Sequence, residues 1–171
     1  MILDTDNIEG SLRSAMNAKE IPLLLYEAGE AHRFDEISIR AGVNGILSVM
    51  SELEMIPKYK SVRKKSPSYV ATSDVRVRAA VSGISHNDVK LGVRVFKDQV
   101  IGLISDPLGE VSEKVLAKAT GIVIGKILHP LVSKGDALFH IGKFKQPKSV
   151  EDIVEEFQDE FDVEERFESF D

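Results

Sequence analysis

The sequence predicts an α+β chain: a helix–strand–helix piece of an α/β domain, a small all-β barrel or sandwich, and an acidic C-terminal helix. Three observations carry this. The run "PLLLYEAGE" (residues 22–30) is unbroken in its apolar character until it meets Glu27. Residues 70–145 hold short β-branched runs separated by Gly, Asp and Asn. The last 23 residues carry eleven Asp and Glu against Arg166 alone. The corresponding boundaries are 1–56 for the α/β piece, 57–69 for a linker, 70–145 for the β module and 146–171 for the helix and tail.

Size and composition allow one ordinary domain or two small ones: 171 residues, 43% of them hydrophobic. No stretch approaches the ~18 apolar residues of a membrane span, and a basic-then-apolar leader is not evident at the N-terminus. There is no cysteine, which excludes disulfides and thiolate metal sites and fits a cytoplasmic protein. The net charge of −6 belongs to the tail, which accounts for −10 and leaves the remainder at +4.

The first helix is expected over "SLRSAMNAKE", opened by Ser11, with Leu12, Ala15 and Met16 on one face. The run at 23–26 follows. A half-exposed strand alternates apolar with polar residues, whereas a strand covered on both faces reads as continuous apolar sequence. Ligands of such sheets sit beyond the carboxyl ends of the strands, where Glu27 stands. A second helix is expected from about Asp35, a plausible N-cap, with Ile39, Val43, Ile46, Leu47, Met50 and Leu53 as its apolar stripe. One helix–strand–helix unit cannot build a parallel sheet alone, so this zone reads as the end of a larger α/β domain.

The connector "PKYKSVRKKSP" is basic. It carries no aromatic platform or nucleic-acid motif, so it reads as a solvated linker and nucleic acid is not an expected partner. The β module contains an imperfect repeat. "SGISHNDVKLGVRVFKDQVIGLI" (82–104) lies over "TGIVIGKILHPLVSKGDALFHI" (120–141), with Lys97-Asp98-Gln99 in one turn and Lys134-Gly135-Asp136 in the other. Two interlocking copies predict a small closed barrel or sandwich. In the tail, Ser149 and Asp152 resemble a capping box, and Val150, Ile153, Val154, Phe157 and Phe161 share a helical face. That pattern predicts a docking helix with an acidic end.

The segments "IPLLLYEAGEAH", "RAGVNGILSVMSELEMI", "SDPLG" and "PLVSKGDALFHIG" together resemble the C-terminal half of the succinylglutamate desuccinylase/aspartoacylase family, over residues 11 to 144. The family consists of zinc-dependent deacylases related to zinc carboxypeptidases. The resemblance implies hydrolysis of the amide of an N-acyl amino acid or similar small-molecule amine. It also implies a catalytic role for Glu27 as general base and then proton donor to the leaving amine. The zinc is held in the family by a His-x-x-Glu pair and a later His, upstream of the strand seen here. Zinc lowers the pKa of bound water toward ~7, and a carboxylate raised in pKa by burial suits both proton transfers.

The departures from the family pattern limit what this chain is expected to do alone. No His-x-x-Glu occurs in it, and His32, His86, His129 and His140 have no Glu or second His at ligand spacing. The expectation is therefore zinc in a full-length parent and none in this chain, which stands as the C-terminal part of a longer enzyme. Glu30 follows where relatives often have small residues. The β module also resembles biotinyl and lipoyl carrier domains, but its equivalent tip, "SDPLGEVSE", has no lysine in the bend. Two other readings stand beside the catalytic one. Glu27 can be a strand-terminal carboxylate that caps a backbone donor or pairs with Arg33. The whole chain can be a non-catalytic β-sandwich binding or oligomerisation module. An orphaned strand at 23–26 predicts a homo-oligomer or packing against the absent catalytic domain.

Overall fold

A computed structural model describes residues 2–3, 9–59, 68–145 and the single positions 150, 152 and 154. The chain divides into two compact units, 6–66 and 1–5 with 67–171.

The first unit contains two helices, each started by the residue its sequence marks. Helix α1 (Leu12–Asn17) is capped by Ser11, whose Oγ accepts from the Ser14 N–H at 3.1 Å. Helix α2 (Glu36–Glu52) is capped by Asp35. One of its carboxylate oxygens accepts from the Ser38 N–H at 3.2 Å, the other from the Ser38 hydroxyl at 2.9 Å. Such caps satisfy donors that a helix start leaves open and contribute about 1 kcal/mol each. The expected strand at 23–26 does not form; residues 21–28 have no strand partner. Nor is the run buried, since Leu24 is 87% exposed. A strand exists only as one line of a ladder, and no described segment of this unit offers a neighbouring line. No described residue between 9 and 59 is buried.

The second unit is built on ten strands: β1 (Ile2–Leu3), β2 (Val70–Ala71), β3 (Ser73–Arg78), β4 (Gly83–His86), β5 (Arg94–Val95), β6 (Val100–Ser105), β7 (Ser112–Leu116), β8 (Gly121–Lys126), β9 (Leu131–Val132) and β10 (Ala137–Lys143). β1 pairs in parallel with β2, so residues 2–3 belong with the β module and not with the α/β piece to which the sequence boundary gave them. The other strands form two antiparallel sheets, ordered β3-β10-β8-β5 and β7-β6-β4-β9. Each sheet keeps its own edges, and no closed barrel is formed among the described residues.

The two sheets share one apolar core, to which β3, β5 and β6 contribute Val77, Val95, Ile101 and Ile104. The core continues through Val115, Val123, Val132, Leu138, Phe139 and Ile141. Full burial of each such side chain stabilises by roughly 1.5–3 kcal/mol. A second cluster lies around Ile122, Ala71 and Phe144, with Val150 buried against it and Val154 packed on it. These two valines are what the structure describes of the predicted tail face; Ile153, Phe157, Phe161 and the remaining acidic segment lie outside the described residues, as do residues 60–67 of the basic connector.

The repeat is real at the level of single hydrogen bonds. Strand order in the first sheet becomes that of the second when β3–β6 are exchanged with β7–β10. Asp98 N–H donates to Ala117 O at 2.8 Å, and Ala117 N–H to Gln99 O at 2.9 Å. In the other copy Gly135 N–H donates to Ala79 O and Ala79 N–H to Asp136 O, both at 2.9 Å. The turn side chains match as well: Gln99 Oε1 accepts from the Phe96 N–H, and Asp136 Oδ2 from the Ser133 N–H, each at 2.8 Å. Thr120 and Ser82 hydroxyls accept from the Lys97 and Lys134 N–H groups. The copies interlock because β5 pairs with β8 and β9 with β4.

Candidate functional site

Glu27 ends the extended segment, and its side chain is exposed. The chain turns two residues later at Gly29, whose φ of +85° is a conformation that side chains resist. This turn packs on the first turn of α2: a Cβ placed on Gly29 would lie 3.5 Å from Asp35 Cβ and 3.7 Å from Ser38 Cβ. One residue before Glu27, the Tyr26 hydroxyl donates to the Ser38 carbonyl at 2.9 Å. Its ring lies over Gly42, where an added Cβ would sit 3.0 Å from Tyr26 Cε1. The acid therefore sits between two points of attachment to α2. The Tyr26–Gly42 anchor was not part of the sequence reading, because a contact across sixteen positions leaves no local signal. Within the expected run, Leu23 is half-buried, while Leu24, Leu25 and Tyr26 are exposed.

Arg33 pairs with Glu30 and not with Glu27, at 3.7 Å on the surface, where such a pair contributes little. A recess of about 740 Å³ in this unit lies past the C-terminus of α2. It is lined by Ser51, Met55, Pro57 and Tyr59, among others, and does not include Glu27.

The four histidines are dispersed. His32 is exposed in the loop after Glu27 with a φ of +64°. His86 Nε2 lies 3.3 Å from the Ser105 hydroxyl, and His129 is exposed ahead of Pro130. His140 is half-buried on β10, its Nε2 2.5 Å from Asp74 Oδ2 on β3. Among the described residues no three His, Asp or Glu side chains come together as a group that could hold a metal ion. The described residues do not fit the zinc that the sequence resemblance implies.

Comparison with solved structures decides the architecture. The fold is that of succinylglutamate desuccinylase/aspartoacylase proteins. The product-bound ectoine utilization protein EutE (DoeB) of Ruegeria pomeroyi superposes with a TM-score of 0.70 at 19% identity, over 78% of this chain and 42% of that one. A succinylglutamate desuccinylase of Silicibacter sp. TM1040 gives 0.70 at 17% identity, over 84% and 44%. A succinylglutamate desuccinylase/aspartoacylase of Rhodobacter sphaeroides gives 0.55 at 20% identity, over 66% and 37%. The chain thus spans less than half the length of these three proteins. No family model matches the sequence, and no curated protein matches it. No helix among the described residues is long and apolar enough to cross a membrane.

Proposed function

We propose that this chain supplies the Glu27-bearing part of a cytoplasmic, zinc-dependent deacylase that hydrolyses the amide of an N-acyl amino acid or similar amine. The observation that supports it is the fold shared with a succinylglutamate desuccinylase over 84% of this chain, joined to the Pro22–Glu27–Gly29 pattern at the end of an apolar run. Ectoine and succinylglutamate, the molecules in the names of these structures, are small, and the substrate class is proposed here on that ground.

In this reading Glu27 accepts a proton from water as the water oxygen bonds to the amide carbon. As the carbon–nitrogen bond breaks, the same carboxyl returns the proton to the departing nitrogen. The products are a carboxylate and a free amine. Positioned proton transfer of this kind contributes about 10²–10⁴-fold to rate. An exposed carboxylate is poorly placed for it, so the reading also requires that the site around Glu27 be completed by protein outside this chain. The zinc belongs to that same missing part. No step is assigned to it here, because the described residues do not form a metal group.

The test is Glu27→Gln in the assembled enzyme, assayed on a panel of N-acyl amino acids. Turnover is expected to fall by about 10²-fold or more with substrate binding retained. Unchanged turnover removes Glu27 from the mechanism. The second reading, a non-catalytic assembly module with a biotinyl- or lipoyl-like layout, is favoured by the self-contained core of the β unit. It is distinguished by the absence of amide hydrolysis in the assembled protein.

A further inference from the structure

The two sheets of the β unit are near-copies, so each serves as a reference for the other. Arg76 pairs with His140 across β3 and β10, as Lys114 pairs with Leu103 across β7 and β6. Gly125 and Lys126 stand two and three residues beyond buried Val123, as Asn87 and Asp88 stand beyond buried Ser85. The sheets part at these four positions. Where one has Lys114 and Asp88, of opposite charge, the other has two cations, Arg76 and Lys126. His140 stands in the place of Leu103. Asn87 fills its surroundings, its Oδ1 2.6 Å from where a Gly102 Cβ would lie, whereas Gly125 has no side chain to do so.

The four changes fall on one spot. Arg76, His140 and Gly125 line up across β3, β10 and β8 on the face turned from the core, since cross-strand partners share a face and the adjacent Val77 and Ile141 belong to the core. With Lys126 they line a recess of about 220 Å³. That is room for several waters at ~30 Å³ each, or for a small oxyanion. His140 is held in place there. Its Nε2 lies 2.5 Å from Asp74 Oδ2, which leaves Nδ1 as the ring's second polar atom. The contact occupies Asp74, whereas Arg76 and Lys126 have no ion-pair partner among the described residues. Like charges at one recess repel, and an anion between them removes that cost. We propose that this recess binds a phosphate group, with Arg76 and Lys126 on its oxygens and His140 as a further donor. A guanidinium fork and an ammonium both suit phosphate oxygens. Two permanent cations also match the charge of about −1.5 to −2 on a phosphate monoester at pH 7 better than the single charge of a carboxylate. The site stands on the β unit alone and is independent of the deacylase reading.

The experiment is an NMR titration of the full chain with inorganic phosphate, against chloride at matched ionic strength. The amides of Gly125, Lys126 and His140 are expected to shift saturably with phosphate and not with chloride. Acetate is expected to bind about 10-fold more weakly than phosphate. Arg76→Gln combined with Lys126→Gln should weaken phosphate binding by about 10-fold or more, the equivalent of one hydrogen bond to a charged group. Lys118→Gln, which does not line the recess, should leave it unchanged. Gly125→Asn gives the recess the other sheet's residue and should abolish binding, with unshifted amides of Val95 and Ile104 showing that the core is intact; if that chain does not fold, the double variant decides. Absence of a saturable shift overturns the proposal. Equal shifts with chloride, or equal affinity in the double variant, mean an adventitious ion only and overturn it as well. Acetate binding as tightly as phosphate overturns the choice of ligand.

Discussion

The glycines at the start of the two repeats give the sharpest test of the β unit. A Cβ on Gly121 would lie 2.3 Å from the Gly142 carbonyl oxygen and 2.8 Å from Ile141 Cγ2. A Cβ on Gly83 would lie 2.3 Å from the Ser105 carbonyl oxygen and 2.9 Å from Ile104 Cγ2. Neither glycine has a positive φ, so the requirement is steric: another strand's backbone occupies the space a side chain would take. The obstacle in each case is a carbonyl engaged beside a sheet, which cannot swing aside as a flexible side-chain tip does. Overpacking of this kind costs typically 1–3 kcal/mol, and backbone contacts place these two sites at about 3 kcal/mol each. Against a domain stability of roughly 5–15 kcal/mol, that is a large fraction. For a unit of this size it corresponds to a fall in Tm of about 12–24 °C. Thermal unfolding followed by circular dichroism, with exchange of the Val123 amide reporting on the β core alone, measures it. The near-identity of the two environments adds a stricter condition, that Gly83→Ala and Gly121→Ala cost the same within about 1 kcal/mol. A loss below about 0.5 kcal/mol at both sites would refute the close-approach argument, and a large loss at only one would refute the equivalence of the copies.

Two further outcomes follow from comparing the copies. Ser85 is a core position whose hydroxyl has no hydrogen-bond partner among the described residues, and its counterpart in the second copy is the fully buried Val123. Ser85→Val should therefore stabilise the β unit by about 1 kcal/mol in denaturant titration; a loss of that size would mean that the hydroxyl is satisfied. Asp98 holds a φ of +66° where the second copy has Gly135 at +96°. Asp98→Gly should raise stability by roughly 0.5 kcal/mol and Gly135→Asp lower it by about 1 kcal/mol, read from paired melting curves, and the reverse order would show that the turn does not carry the strain.

What the sequence made legible was local or repeated. Ser11 and Asp35 cap the helices they were expected to open, because a cap spans only three residues. The register of the two turns, Lys97-Asp98-Gln99 over Lys134-Gly135-Asp136, survives down to the side-chain acceptors, because each copy supplies the other's template. The pairing of Ile2 with Val70 left no trace in either neighbourhood. The run at 23–26 failed for a different reason. Its apolar pattern predicts a burial that requires strand partners, and the described residues give it none. At the candidate site, Glu27 was legible as a carboxylate ending an apolar run, whereas its attachment through Tyr26 to Ser38 and Gly42 was not.

The two units therefore solve the burial problem in opposite ways, and the difference bears on function. In the β unit neither copy can close its own core, since β5 lies in the sheet of β8 and β9 in the sheet of β4; the exchange makes the whole unit fold together and leaves Ile122, Val123 and Ile141 fully buried. In unit 6–66 the capped helix is formed but Ile39, Val43, Ile46 and Leu53 of its apolar stripe are exposed, so much of the stabilisation that packing provides is not realised there. Glu27 sits in that second kind of unit. Its carboxylate is exposed on a segment tied to α2 through Tyr26 and Gly29, and proton transfer depends on hydrogen-bond reach to the proton it moves. If the residue is catalytic, activity must depend on protein that covers this carboxylate and fixes its position.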